Sequence, residues 1–217
     1  MVAAFSVSKS AVSGRAAEGS AVARQGEATT TGVVWERNDS APSNVSVSLT
    51  QMLDRREQRV ADQQALLSRF GRPLVQLTLV TPGPVKDTPQ SRFVFGQGLA
   101  ALQQALRLAG HAVLAQQGNY GDTGPEMLMV IDAEPLSIKG TMLQIEEQHA
   151  LGRLWDVDVL DTSGASVSRQ QLGWPARRCL LCDEPAHACS RSGQHALADL
   201  QRVIKEKVNA FRSRLGR

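Results

Sequence analysis

The chain has 217 residues, 42% hydrophobic and 21% charged, with a net charge of +3, which suits one ordinary domain with a good core and room for a tail. Aromatic residues make up 4%, too few for the stacking platforms that hold single-stranded nucleic acid. No apolar run approaches the roughly 20 residues that span a bilayer. The start, "MVAAFSV", lacks the basic opening and long apolar core of a signal peptide. Three cysteines, an odd number, argue against a disulfide framework and for the reducing cytoplasm.

Charge is unevenly spread. From Ser168 to Arg217 there are ten Lys/Arg against four Asp/Glu, whereas the rest of the chain is net acidic. A basic last quarter on a carboxylate-bearing middle suits a polyanionic ligand held partly through a metal.

Residues 1–44 are rich in Ala, Ser, Gly and Thr without apolar periodicity, which predicts a disordered tail. A single domain is expected over 45–217. Its first helix covers "SLTQMLDRREQRVADQQALLSRFG", where Leu49, Met52, Leu53, Val60, Leu67 and Phe70 recur at helical spacing. Ser48 can cap its start and Gly71 its end. "PLVQLTLV" reads as a strand, followed by a loop, "TPGPVKDTP", stiffened by three prolines. A helix over "SRFVFGQGLAALQQALRLAG", a strand "HAVLAQQG", a loop "NYGDTGPE" and a strand "MLMVID" come next.

"PLSIKGTMLQIEEQ" predicts a helix, with Leu136, Leu143 and Glu146/Glu147 on 3–4 spacing despite Gly140. An acidic strand from Leu154 is expected to turn at "DTSG" into a hairpin partner, "ASVSRQQL". After a Cys-rich connector, Leu197, Leu200, Ile204, Val208 and Phe211 mark a long amphipathic C-terminal helix. Interleaved strands and helices with one hairpin predict an α/β (α+β) fold, a mixed sheet with helices packed on it.

The acidic strand carries the chemistry. Alternation places Leu154, Asp156 and Asp158 on one face and Trp155, Val157 and Val159 on the other. Carboxylates about 7 Å apart on one strand face repel unless a positive charge sits between them. A D-h-D-h strand (h apolar) is how nucleotidyltransferases of the polymerase-β type hold magnesium on a triphosphate. The same pattern also occurs on plain solvated faces, and the Gly-Ser signature of that superfamily is absent, so any such relationship is distant. Gly152 permits a tight approach to the strand, and Arg153 puts a cation beside the carboxylates. Glu146 and Asp161 are candidate third ligands and His149 a candidate proton acceptor.

The connector "PARRCLLCDEPAHACSRSGQH" spaces Cys179, Cys182, Cys189 and His195 as four soft ligands. Its C-x2-C half fits a zinc site, whereas its second half matches no common finger. A packed-thiol cluster is the preferred reading. Arg177, Arg178 and Arg191 beside it, and Lys86 and Arg92 beside the proline loop, can fork onto or pair with phosphate oxygens.

Three segments, "VTPGPVKDTPQSR", "HALGRLWDVDVL" and "PARRCLLCDEPAHACSRSGQH", in this order and spacing, resemble holo-citrate lyase synthase, the apo-citrate lyase phosphoribosyl-dephospho-CoA transferase family. The resemblance runs from about Val47 to about Leu200. It implies transfer from 2'-(5''-triphosphoribosyl)-3'-dephospho-CoA to a serine on the acyl-carrier (gamma) subunit of citrate lyase, with release of pyrophosphate. It further implies Asp156 and Asp158 as Mg²⁺ ligands, Arg153 as a third catalytic residue, and Lys86, Arg92, Arg177, Arg178 and Arg191 as donor-binding cations. Two other readings remain: the sister transferase acting on the malonate decarboxylase carrier, and a zinc-containing nucleic-acid-binding module.

Overall fold

The computed structural model describes residues 41–216, so most of the tail expected at 1–44 lies outside the described residues. The chain is already tied down at Ser43 and Asn44, whose N–H groups donate to Asp87 at 2.9 and 3.0 Å. Ser46 then bridges Val85. Residues 43 and 44, expected as part of the tail, instead brace the proline loop.

Among the described residues, five helices surround one four-stranded sheet. Helix α1 spans Leu49–Phe70, β1 Leu74–Leu79, α2 Pro89–Leu108, β2 Ala112–Gly121, β3 Gly124–Asp132 and α3 Pro135–Gln148. They are followed by β4 Trp155–Leu160, α4 Ala186–Ser192 and α5 Leu197–Leu215. The sheet order is β2-β3-β1-β4, and every pairing is antiparallel. The α+β class holds, and the sheet is antiparallel throughout, with no parallel pair among the described residues: β1 lies between β3 and β4, and both run against it. Asn119–Gly121 and Gly124–Glu126, expected as a loop, extend β2 and β3 into a tight hairpin.

Alternation divides the sheet into two faces. Val75, Leu77, Met127, Met129, Trp155, Val157 and Val159 pack with the inner sides of α2 and α3 and with Ile204 and Val208 of α5. Leu74, Leu128, Val130 and Leu160 face Leu66, Leu67 and Phe70 of α1. Two glycines permit close approach on the first side. A Cβ on Gly98 would lie 2.7 Å from the Trp155 indole nitrogen, and one on Gly152 would lie 2.4 Å from the Glu146 carbonyl oxygen.

Three expectations are corrected. Helix α1 has its predicted Ser48 cap, which Gln51 completes as a capping box, and its left-handed Gly71 stop, but Leu49, Leu53 and Val60 are exposed; only its C-terminal half covers apolar sheet. Leu154 does not share the aspartates' face: it ends a 3-10 turn over Gly152–Leu154 and packs into the α2/α3 core. The hairpin partner of β4 also stops early. Asp161 Oδ1 captures the N–H groups of Ser163 and Ala165 at 2.8 and 3.0 Å, and Ser168 caps a short 3-10 turn.

Edge strand β4 is protected instead by side chains from α3. Glu146 accepts from the Val157 N–H at 3.2 Å and Lys139 donates to the Val157 carbonyl at 2.9 Å. Polar groups on an open sheet edge otherwise invite pairing with another chain. No helix among the described residues is long and apolar enough to cross a membrane.

Candidate active site

The α1 side of the sheet turns polar toward one end. Register sets Gln76 of β1 opposite Asp158 of β4, and Thr78 opposite Asp156. Glu126 of β3 lies at the same level, directly beyond the Leu77–Met127 pair. Above these residues passes the N-terminal half of α1, carrying "DRREQR". Arg55 and Arg59 both bind Glu126, Arg59 through Nε at 2.7 Å, and Arg55 also reaches Asp62 at 3.0 Å. Between helix and sheet lies a cavity of about 250 Å³ lined by Asp156, Asp158, Glu126, Arg56, Arg59 and Lys86.

The two aspartates sit in different surroundings. Asp156 is exposed and bonds Arg177 Nη1 at 3.2 Å. Asp158 is half-buried, accepts from Gln76 Nε2 at 3.2 Å, and has no ion pair among the described residues. Burial, and then the neighbouring Asp156 charge, push its carboxyl above the usual aspartate range. The second of these causes is the like-charge repulsion expected of the D-h-D pattern. The carboxylates form a hard-oxygen surface that a divalent cation fits by donor type.

A second cavity, of about 520 Å³, adjoins the first and shares Arg56, Thr81 and Asp156 with it. Arg153, Arg177 and Arg178 line it. Arg177 also donates to Glu146 at 3.1 Å and to the Trp155 carbonyl. Arg153 donates to the Arg178 carbonyl, while its buried Nε has no hydrogen-bond partner among the described residues. Arg178 is exposed and pairs with Asp183 at 3.1 Å. A third, mostly apolar cavity of about 260 Å³ shares Val80–Pro82 with the second.

Most of the cations named from sequence converge here, and some do not. Lys86 lines the smaller cavity and donates to the Thr81 carbonyl at 2.5 Å; burial, and then Arg56, lower its pKa. Arg92 lines none of the three cavities. It binds Asp87 through two nitrogens at 2.7 and 2.8 Å and lies over the Tyr120 ring, bracing the start of α2. Arg191 is exposed on α4 and also lines none of them. Glu146 is buried against the edge of β4, and burial raises its pKa. Asp161 shapes its own turn. His149 packs its ring, tilted, against Trp155 and Phe211 and lines none of the three cavities.

Sequence reading missed Arg56, Arg59, Gln76 and Glu126. The signal for the arginines was the spacing of Arg55, Arg56 and Arg59, which gathers positive charge on adjoining sides of α1. Arg56 stands out because it lines both polar cavities and makes no ion pair among the described residues.

The family model described as apo-citrate lyase phosphoribosyl-dephospho-CoA transferase matches residues 47–211. A curated relative of that name from Citrobacter koseri is 43% identical over 155 residues, covering 71% of this chain and 85% of its own. A relative with the same name from Escherichia coli O1:K1 is 38% identical over 167 residues, 77% of this chain and 91% of its own. Another, from Shigella boydii serotype 18, is 37% identical over 167 residues with the same coverage.

Proposed function

This chain belongs to the apo-citrate lyase phosphoribosyl-dephospho-CoA transferase family, and we propose that the face bearing Asp156 and Asp158 is the centre where it modifies citrate lyase. The donor is 2'-(5''-triphosphoribosyl)-3'-dephospho-CoA, and the acceptor is a serine of the acyl-carrier (gamma) subunit. The observation that carries this reading is the pair of adjoining cavities, with Asp156 and Arg56 shared between them. One is small and ringed by charge; the other is larger and lined by arginines.

The reaction is a nucleotidyltransferase-type displacement. The serine oxygen bonds to the phosphorus nearest the ribose, the bond from that phosphorus to the bridging oxygen breaks, and pyrophosphate leaves as the serine gives up its proton. Magnesium fits the donor set, so Asp156 and Asp158 would hold it, and bound there it would neutralise charge on the triphosphate. Arg56 and Lys86 face the phosphates from the other wall and hold them in the bound donor and in the transition state alike. Glu126 fixes Arg59 in the same wall. Arg153, Arg177 and Arg178 face the diphosphate bridge of the dephospho-CoA portion, where planar guanidinium groups match phosphate oxygens. Arg177 holds Asp156 in place in the meantime.

The three cysteines, none in a disulfide, suit the reducing cytoplasm. The experiment is intact-mass spectrometry of the citrate lyase acyl carrier after incubation with donor, Mg²⁺ and this protein. One phosphoribosyl-dephospho-CoA group should be added. An unchanged mass, for a carrier that a relative does modify, would overturn the reading.

A further inference from the structure

We propose that Cys179, Cys182, Cys189 and His195 form a structural zinc site that fixes the Arg177–Arg178 segment beside the reaction centre. The fold brings these four residues together from three local pieces. Residues Arg177 to Ala186 make a small hairpin, closed by Ala186 N–H to the Arg177 carbonyl and Cys179 N–H to the Glu184 carbonyl, both at 2.8 Å. Its loop carries Cys179 and Cys182. Helix α4 supplies Cys189, and Gly193, at φ 61°, reverses the chain so that His195 returns to the same point.

The distances suit a metal. Zinc–sulfur bonds of about 2.3 Å and zinc–nitrogen bonds of about 2.0–2.1 Å give a tetrahedron with edges of roughly 3.5–3.8 Å. Cys182 Sγ lies 3.5 Å from Cys189 Sγ and 3.3 Å from His195 Nε2, and the four donor atoms all lie within 4.8 Å of one another. The Leu181 N–H points at Cys179 Sγ, 3.5 Å away, a contact that favours a thiolate.

Simple thiol packing accounts for this less well. Thiols that pack as small hydrophobes sit among apolar side chains. Here only Cys189 is buried; the other three donors are half-exposed and face one another. The segment also lacks a core of its own. Between Ser168 and Ala196 the only buried residue is Cys189, and Leu180 is the only side chain packed in part against the main core. A stretch with so little apolar burial needs another source of order, and metal ligation supplies folding free energy directly. Three cysteines and one histidine fill the tetrahedron, leaving no open position, so the site is structural and not catalytic.

The segment it would order is functional. Arg177 reaches Asp156 and Glu146, and the Arg178 carbonyl receives Arg153. Cys179, Cys189 and His195 form part of the wall of the larger cavity. The role in positioning Arg177 rests on the transfer reading; metal binding itself does not.

The test uses the full chain, reduced and stripped of metal, titrated anaerobically with cobalt(II) without donor or carrier. About one cobalt per chain is expected, with the strong visible absorption of tetrahedral thiolate-bound cobalt, and zinc should abolish that spectrum by displacement. Cys182→Ser should lose the signal, and His195→Cys should keep it with a shifted spectrum. Protein purified without chelator should contain about one zinc per chain. Absence of cobalt uptake, or a spectrum unaffected by Cys182→Ser, would overturn the site. Hydrogen exchange tests the clamp: removing zinc should speed exchange over residues 177–195 at least about tenfold and leave β1 and β3 unchanged. Unchanged exchange over 177–195 would refute the positioning role.

Discussion

Replacing Asp158 with asparagine should make the protein more stable and less active. Asp158 and Asp156 lie on one strand face, about 7 Å apart along the strand. Two unit charges at that separation repel by about 2.4 kcal/mol at an effective dielectric near 20, and solvent around the exposed Asp156 reduces this to about 1 kcal/mol. Asparagine removes the repulsion and the burial of charge, yet its side-chain oxygen can still accept from Gln76. For a domain of this size about 1 kcal/mol raises the melting temperature by about 2–4 °C.

The gain should depend on pH with a definite sign. Burial and Asp156 raise the Asp158 pKa above its ordinary value of 3.8, so the native state binds this proton more tightly than the unfolded chain does. The associated stability is complete below the unfolded value and is lost as pH rises through the folded one. Asp158→Asn cannot ionise and retains it, so its advantage should appear at neutral pH and vanish below 3.8. Melts of both proteins from acid to neutral pH, without divalent cations, provide the assay. Transfer should fall at least about a hundredfold, the scale of losing one preorganised charge-stabilising group. A variant less stable than wild type at neutral pH would refute the reasoning, because the charge would then be satisfied within the protein.

Arg56→Ala should raise the donor KM about tenfold with little change in kcat or melting temperature, because it removes a phosphate contact made in both ground and transition states. Arg178→Ala should likewise weaken donor binding more than it slows the bound complex, as read from steady-state and single-turnover kinetics. Gly152→Ala should destabilise by about 2–3 kcal/mol in urea melts, since its Cβ would meet the Glu146 and Ile145 carbonyl oxygens at 2.4 and 2.5 Å. Deleting residues 1–41 should leave melting temperature and turnover unchanged, whereas extending the deletion through Val47 should lower the melting temperature by several degrees, because it removes the bonds from Ser43, Asn44 and Val47 to the proline loop.

The elements with strong period or clear caps were legible in the sequence. α1 starts at its Ser48 cap and stops at Gly71 as expected, and Trp155, Val157 and Val159 are buried opposite the aspartates. What failed depended on tertiary contacts. Periodicity marked Leu49, Leu53 and Val60 as inward, yet that half of α1 covers a charged cavity instead of apolar sheet. Leu154 fitted the strand's alternation, but the 3-10 turn before β4 rotated it into the core. The hairpin after β4 was a sound local inference, overridden by Asp161 and by the α3 side chains that occupy the Val157 edge.

The candidate site was half visible. The D-x-D pattern and the arginines near the cysteines could be named, because the chemistry depends on residue type and spacing. Arg56, Arg59 and Glu126 could not, since the packing of α1 brings the two arginines, and the β3-β1-β4 order brings Glu126, to the level of Asp158. Arg92 looked the same as Lys86 in sequence; the nearby Asp87, buried and bonded to it twice, took it out of the cavity wall.

The central claim is that the Asp156–Asp158 face is where the donor's phosphorus reacts. It is tested most directly by single-turnover release of pyrophosphate from donor-saturated enzyme mixed with apo acyl carrier, comparing wild type with Asp156→Asn. Release should be at least about a hundredfold slower in the variant, at donor concentrations shown by binding to saturate both proteins. Equal rates at saturation would contradict the assignment and move the reaction centre away from this strand.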